Sequence, residues 1–356
     1  MVERLEVPVS TPYPVVVGSG LSLAETVAEV LEPGVAVIVT DSNIGPLHAE
    51  EVVGELESGG WSVAEVIEVP AGEDSKSLEV YGETVRRLAR SGVPRDGTLF
   101  ALGGGVVGDL VGFVAGTYMR GINFVALPTS LLAMVDSSVG GKVGVDLPEG
   151  KNLVGSFVRP RLVLAELDRL KTLPARELSN GLAEVIKMGL LSGGNYYEDL
   201  RFIEDARAGD EEALQTLVMH SVRFKAEVVA EDELESGRRA ILNYGHTIGH
   251  GLEAAGGYGM AHGEAISCGM AAAARLSARR FGKDLIQRQE ELLQAAGLPT
   301  KLPALESEKI LAAMGRDKKR RGGEHRFVLL EDVGRPVWGV PVSESEVRGV
   351  LEDILE

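Results

Sequence analysis

Three of the chain's six histidines stand within one stretch, ILNYGHTIGHGLEAAGGYGMAHGEA, from Ile241 to Ala265. His246 and His250 are four residues apart, a spacing that on a helix puts both imidazoles on one face, one turn apart. Gly245 just before them lets the chain turn in tightly. A loop carrying Gly256, Gly257 and Gly259 then leads to His262, which opens a second helix and has Glu264 two residues on. Imidazoles and a carboxylate gathered in this way can hold a metal, and the plain alternative is a set of hydrogen-bonded structural histidines. The one cysteine, Cys268, lies in the apolar helical run AISCGMAAAA and reads as core packing, which excludes a thiolate site. Imidazole with carboxylate suits zinc with an open position for substrate, and the same ligands accept iron, cobalt or manganese.

A third ligand comes from further upstream. In SNGLAEVIKMGLL, Glu184 and Lys187 are three apart and share a helical face with Leu182, Val185 and Met188. A surface ion pair would explain the spacing. The apolar neighbours favour an inward-facing carboxylate beside the histidines instead.

Other residues suggest a second kind of chemistry. In GGGVVGDLVGFVAG, Gly103, Gly105 and Gly108 satisfy G-x-G-x-x-G with a strand before and a helix after, so that bare backbone can approach a pyrophosphate at the helix N-terminus. The arrangement departs from the usual dinucleotide pattern, because no acid ends the next strand, FVALPTS; the acid placed to grip a ribose is Asp41, on an earlier strand. Downstream, Asp136, Lys142, Lys151 and Asn152 lie among glycines and apolar residues. They make either a solvated surface or an anion site reached by flexible point charges.

The elements that must position these residues change character along the chain. Short strands at Glu3 to Val7 and Pro14 to Val17 precede a helix at Leu23 to Leu31 and the continuous apolar strand Val35 to Asp41. Helix Leu47 to Gly59, strand Ser62 to Val69, helix Leu78 to Ser91, strand Thr98 to Leu102 and strand Phe124 to Leu127 follow. This alternation is that of an α/β domain with a doubly wound, mostly parallel, Rossmann-like sheet. From Arg176 nearly every segment has helical period, with one hairpin at Arg326 to Trp338, so an all-α C-terminal domain follows. The boundary is placed to give residues 1–172 and 173–356.

The bulk properties are those of a soluble globular protein. At 356 residues the chain exceeds one ordinary core. Its net charge of −17 argues against nucleic acid or an anionic membrane as partner, and no apolar run reaches membrane-spanning length. One cysteine and a start, MVERLEVPVS, without signal-peptide pattern point to the cytoplasm.

The blocks GGGVVGD, VDSSVGGK, GKNLVGSF, NGLAEVIKMG, LNYGHTIGHGLE and HGEA, in this order, resemble the 3-dehydroquinate synthase family over roughly Val35 to Lys319. The resemblance implies an N-terminal NAD-binding domain, a helical C-terminal domain, an active site in the cleft and a homodimer. It implies Zn2+, with Co2+ as a substitute, on Glu184, His246 and His262, and a proton-transfer role facing the substrate for His250. NAD would lie along Glu73 to Lys76, Gly104, Gly105, Val106, Gly108, Asp109, Thr129 and Ser130, with Asp41 near the adenosine ribose and Lys142, Lys151 and Thr172 nearby. Substrate would meet Arg120, Asp136, Lys142, Lys151, Asn152, Lys187, Lys225, Arg239 and one of Lys318 or Lys319. Catalysis would fall to His250, Lys142, Lys187, Asn243 and Glu235. Ser130 stands where threonine is usual in the family and Tyr244 where phenylalanine is common, both conservative changes.

The implied reaction converts 3-deoxy-D-arabino-heptulosonate 7-phosphate to 3-dehydroquinate and phosphate, a carbon–oxygen lyase step of the shikimate pathway towards chorismate and the aromatic amino acids. NAD is reduced and re-oxidised within one turnover. Two other classes stay open, and a non-catalytic binding protein is the least favoured reading. A metal-dependent polyol dehydrogenase would not need the lysine, asparagine and arginine set, another sugar-phosphate cyclase would not need a grip on a carboxylate, and a non-catalytic binding protein would leave the combined site unexplained.

Overall fold

The computed structural model describes residues 2–255, 259–302, 307–314 and 325–355. The chain forms two compact units, one of Met1–Pro174 with Lys225–Leu234, the other of Ala175–Phe224 with Glu235–Glu356.

The first unit is built on β1 (Glu3–Val7), β2 (Tyr13–Gly18), β3 (Val35–Asp41), β4 (Ser62–Val69), β5 (Thr98–Gly103) and β6 (Asn123–Pro128). A hairpin, β7 (Lys142–Leu147) and β8 (Gly150–Phe157), and then β9 (Leu162–Glu166) complete its strands. Its helices are α1 (Leu23–Ala28), α2 (Gly45–Ser58), α3 (Leu78–Arg90) and α4 (Gly105–Thr117). The main sheet runs β1-β2-β9-β6-β5-β3-β4, parallel throughout except for β1, which pairs antiparallel with β2. β5 is buried at every position and β3 at all but its ends, which is why both read as unbroken apolar runs. On one face, Leu23 and Val27 of α1 and Val52 and Leu56 of α2 pack on Ile38, Phe100, Leu102 and Val125, with Trp61 edge-on to Phe100.

The hairpin was not legible as strand. Its glycines sit where the two backbones press together, and a Cβ on Gly144 would lie 2.7 Å from the Val154 carbonyl oxygen, one on Gly155 2.5 Å from that of Val143. Glycine at those positions makes the pairing possible and hides the strand pattern in the sequence. Just before it, Ala133–Ser137 forms a π-helical turn, an irregularity that often marks a functional site.

The second unit contains α5 (Ala175–Ser192), α6 (Gly194–Asp199), α7 (Ile203–Arg207), most of α8 (Glu211–Glu231), α9 (His246–Ala255), α10 (His262–Phe281), α11 (Ile286–Ala295) and α12 (Ser307–Met314). β10 (His325–Asp332) and β11 (Arg335–Val342) form an antiparallel hairpin, followed by α13 (Glu344–Asp353). The unit is thus helical with one hairpin. α13 has a sequence signal, since Ser343 and Glu346 cap its first turn reciprocally ahead of buried Val347, Val350 and Leu351. Cys268 is buried in α10, its thiol facing the carbonyls of Pro299 and Lys301. Among the described residues no helix is long and apolar enough to cross a membrane.

Candidate active site

Glycine contacts fix where the histidines of the second unit stand. A Cβ on Gly269 of α10 would lie 2.0 Å from the Gly245 carbonyl oxygen, and one on Gly249 would lie 2.6 Å from the Ile266 side chain, so α9 and α10 approach backbone to backbone. Gly245 itself holds φ +78° at the turn that starts α9. On the other side, a Cβ on Gly263 would fall 2.2 Å from the Asn180 carbonyl oxygen, and the Gly263 N–H donates to Asn180 Oδ1. α10 therefore starts hard against α5. His246 and His262 each open their helix, and Glu184 faces them from the middle of α5.

Among the described residues the ligand atoms that converge are those of Glu184, His246 and His262, all within 4.8 Å of one another. Glu184 Oε1 lies 3.6 Å from His246 Nε2 and 3.5 Å from His262 Nε2. Two ligands each about 2.1 Å from one tetrahedral zinc lie about 3.4 Å apart. The carboxylate is fully buried, and no hydrogen bond reaches either oxygen, although the Lys187 ammonium pairs with Oε2. A buried, ion-paired but unsatisfied carboxylate facing two imidazole nitrogens fits a divalent cation. The outer nitrogens are also held: His246 Nδ1 donates to the Tyr244 carbonyl at 3.1 Å and His262 Nδ1 faces Glu253 Oε1 at 3.4 Å, which turns each Nε2 towards Glu184.

The electrostatics match the geometry. Burial pushes the Glu184 carboxyl up, but Lys187 and His262 outweigh it and hold the group at about 2. Burial, together with Lys187 and the neighbouring histidines, drives His246 well below its usual range, so it is neutral. Burial opposes a charge on His262 as well, yet Glu184 and Glu253 raise it to about 9.

His250 stands one turn along α9, exposed, with its ring 5.2 Å from that of His246 and outside the converging group. Glu264 is likewise not in the group: it forms two 2.8 Å contacts with the Arg176 guanidinium and accepts the Ala261 N–H. Lys187 and Arg239 are buried. Asn243 Nδ2 donates to Glu235 Oε1 at 3.2 Å. Tyr244 fits because its hydroxyl donates to Gln289, which in turn donates to the Met270 carbonyl.

In the first unit the candidate residues gather at the carboxyl edge of the sheet. β3 and β5 are neighbours with Thr40 opposite Leu102, so Asp41 ends its strand beside Gly103. From β3 the chain turns one way to β4 and returns to β5 on the other side, which makes this edge the switch point of the sheet. Asp41 Oδ1 accepts the N–H groups of Asn43 and Ile44. Gly104 caps α4 with backbone alone. A Cβ on Gly103 would strike Val107, whereas one on Gly108 would meet nothing within 4 Å. That open position, with the buried and unpartnered Thr129 hydroxyl beside Ser130, fits a dinucleotide phosphate lying on the helix N-terminus.

Around it, Lys76 Nζ donates to Asp109 at 2.8 Å and Lys151 lies 3.2 Å from Glu73. Lys225, from the end of α8, donates to the Asp136 carbonyl at 2.6 Å and pairs with its carboxylate. Lys142 is exposed at the start of β7. Among the described residues four non-glycine residues have positive φ, and three are site candidates: Arg120 at 69°, Asn152 at 53° and Glu235 at 57°. Such backbone costs about 1 kcal/mol or more and gathers at functional sites. Thr172 Oγ1 donates to the Arg169 carbonyl at 2.9 Å, so His48 Nε2, also at 2.9 Å, is the donor to it. Lys318 and Lys319 lie outside the described residues, as do Gly256 and Gly257.

Three supporting residues escaped the sequence reading. Glu253 was visible in the HGLE block; Asp146, which accepts the Asn152 N–H at 2.6 Å, and His48 carry no local signal.

The geometry can be set beside known proteins. A solved 2-deoxy-scyllo-inosose synthase, complexed with carbaglucose-6-phosphate, NAD+ and Co2+, superposes with a TM-score of 0.88 at 27% identity, covering 99% of this chain and 100% of that one. A 2-epi-5-epi-valiolone synthase from Streptomyces hygroscopicus with NAD+ and Zn2+ bound gives 0.86 at 28%, covering 97% of both. The fold and site thus define the class of the dehydroquinate synthase-like sugar-phosphate cyclases. Family models described as 3-dehydroquinate synthase N-terminal and C-terminal match residues 66–180 and 181–320. A 3-dehydroquinate synthase of Acidithiobacillus ferrooxidans is 46% identical over 353 residues, 97% of this chain and 96% of that protein. The chain belongs to the 3-dehydroquinate synthase family.

Proposed function

We propose that this chain converts 3-deoxy-D-arabino-heptulosonate 7-phosphate to 3-dehydroquinate and phosphate. Bound NAD+ would take up and return one hydride, and a divalent ion, zinc or cobalt, would polarise the hydroxyl being oxidised. Glu184, His246 and His262 hold the metal. Gly104, Gly105, Val106 and Gly108 give the pyrophosphate bare backbone, Thr129 and Ser130 line its path, and Asp41 grips the ribose; Glu73, Lys76, Asp109 and Thr172 complete the nucleotide site.

Arg120, Lys142, Lys151, Asn152, Lys187, Lys225 and Arg239 bind the phosphate and carboxylate, with Asp136 fixed by Lys225. His250 moves protons at the substrate, and Asn243 and Glu235 orient it. The observation that carries this reading is the Lys187 ammonium, 1% exposed and set against a metal-ligand carboxylate. A neutral polyol has no use for a buried cation there, whereas an anionic substrate does. The single cysteine fits a reducing cytoplasm, and the resemblance to the family implies a homodimer.

Purified protein incubated with the heptulosonate phosphate, NAD+ and Zn2+ should release one phosphate per product with no net NADH. Stoichiometric NADH without phosphate would overturn the reading in favour of a dehydrogenase.

A further inference from the structure

We propose that Glu253 is a positioning residue that sets the affinity for the metal through His262. The proposal rests on Glu184, His246 and His262 being the ligand set. Glu253 lies two turns beyond His246 on the same face of α9 and is 6% exposed. Its Oε1 is 3.4 Å from His262 Nδ1. A carboxylate so deeply placed is costly unless it is hydrogen-bonded or paired, and here the Nδ1 of an imidazole whose far nitrogen faces the metal group meets it.

The two histidines are treated differently. His246 Nδ1 gives its proton to a neutral carbonyl, that of Tyr244, whereas His262 Nδ1 faces an anion. An imidazole that donates to a carboxylate is held in one tautomer and one ring orientation, and its other nitrogen becomes the more basic ligand. Charge balance points the same way. Glu184 offsets only half the charge of a divalent ion, and the buried Lys187 beside it works against a cation. Glu253 supplies the missing negative charge from behind His262, where it cannot occupy a coordination position needed by substrate.

The test is the zinc dissociation constant, measured by competition with a chromophoric chelator, and the visible spectrum of the cobalt-loaded protein. Glu253→Gln keeps the volume and an acceptor but loses the charge, and should weaken zinc about 10- to 100-fold. Glu253→Asp keeps the charge and should retain wild-type affinity more closely than Glu253→Gln, with a wild-type-like cobalt spectrum. Unchanged zinc affinity in Glu253→Gln overturns the proposal, and so does equal loss in Gln and Asp variants, which would mean packing rather than charge. His246→Ala, measured alongside, separates the two readings: if it keeps stoichiometric zinc, the ligand set itself is wrong; if it loses zinc while Glu253→Gln does not, only the role of Glu253 fails.

Discussion

Glu184 and Lys187 pair on successive turns of α5 with side chains 0% and 1% exposed. Removing one member of a buried ion pair leaves the other uncompensated at a cost of about 3–5 kcal/mol. Lys187→Met should therefore lower the Tm of the metal-free protein well below wild type at pH 8, where Glu184 must stay charged or take up a proton against the pH. Added zinc should restore much of the loss by meeting the carboxylate. Melting curves with and without zinc check this, and a variant as stable as wild type without metal would contradict the pairing as drawn.

Each of Glu184→Ala, His246→Ala and His262→Ala should abolish stoichiometric zinc along with activity, since three protein ligands leave none spare. His250→Ala should keep the metal and lose turnover. Metal analysis after dialysis decides the matter, and loss of zinc from His250→Ala would redraw the ligand set.

How far these arrangements could be read in advance depended on the kind of physics that makes them. Strands buried on both faces, such as Val35–Asp41, and helices with a clear apolar period, such as His246–Ala255, are local patterns, and both were legible. So was Glu184, because an acid among apolar helical neighbours must meet a charge. Backbone-to-backbone packing was not, since the glycines that permit it, Gly144, Gly155, Gly263 and Gly269, read as loop or as neutral helix. Asp41 could be picked out as the acid ending an apolar strand, but its position beside Gly103 follows from the order of strands in the sheet rather than from any spacing along the chain.

His48 should leave a mark on the pH dependence of stability. Burial and the nearby Arg169 lower its pKa below the usual 6.5, only partly opposed by Glu51. The unfolded chain therefore takes up this proton first as the pH falls, so the contribution of His48 is fully present above pH 6.5 and is lost as the pH drops towards the lower folded value. His48→Gln, which keeps a donor for Thr172, should flatten the fall of Tm between about pH 7 and about pH 5. An unaltered slope would mean that His48 is not held neutral.

Gly108 allows stability and ligand binding to be separated in one substitution. It lies within the first turns of α4, and a Cβ there would meet no protein atom within 4 Å. With nothing to clash, Gly108→Ala should stabilise the helix by about 0.5–1 kcal/mol, because alanine loses less backbone freedom on folding. The same methyl would stand where the proposed pyrophosphate lies against bare backbone, so NAD+ affinity should fall by about tenfold or more, about 1.4 kcal/mol. Gly103→Ala is the contrast: its Cβ would come within 2.6 Å of Val107, so it should lose stability whether or not NAD+ is present. Thermal melting and titration calorimetry on both variants give the answer. A Gly108→Ala protein that is at least as stable as wild type and binds NAD+ equally well would place the nucleotide elsewhere.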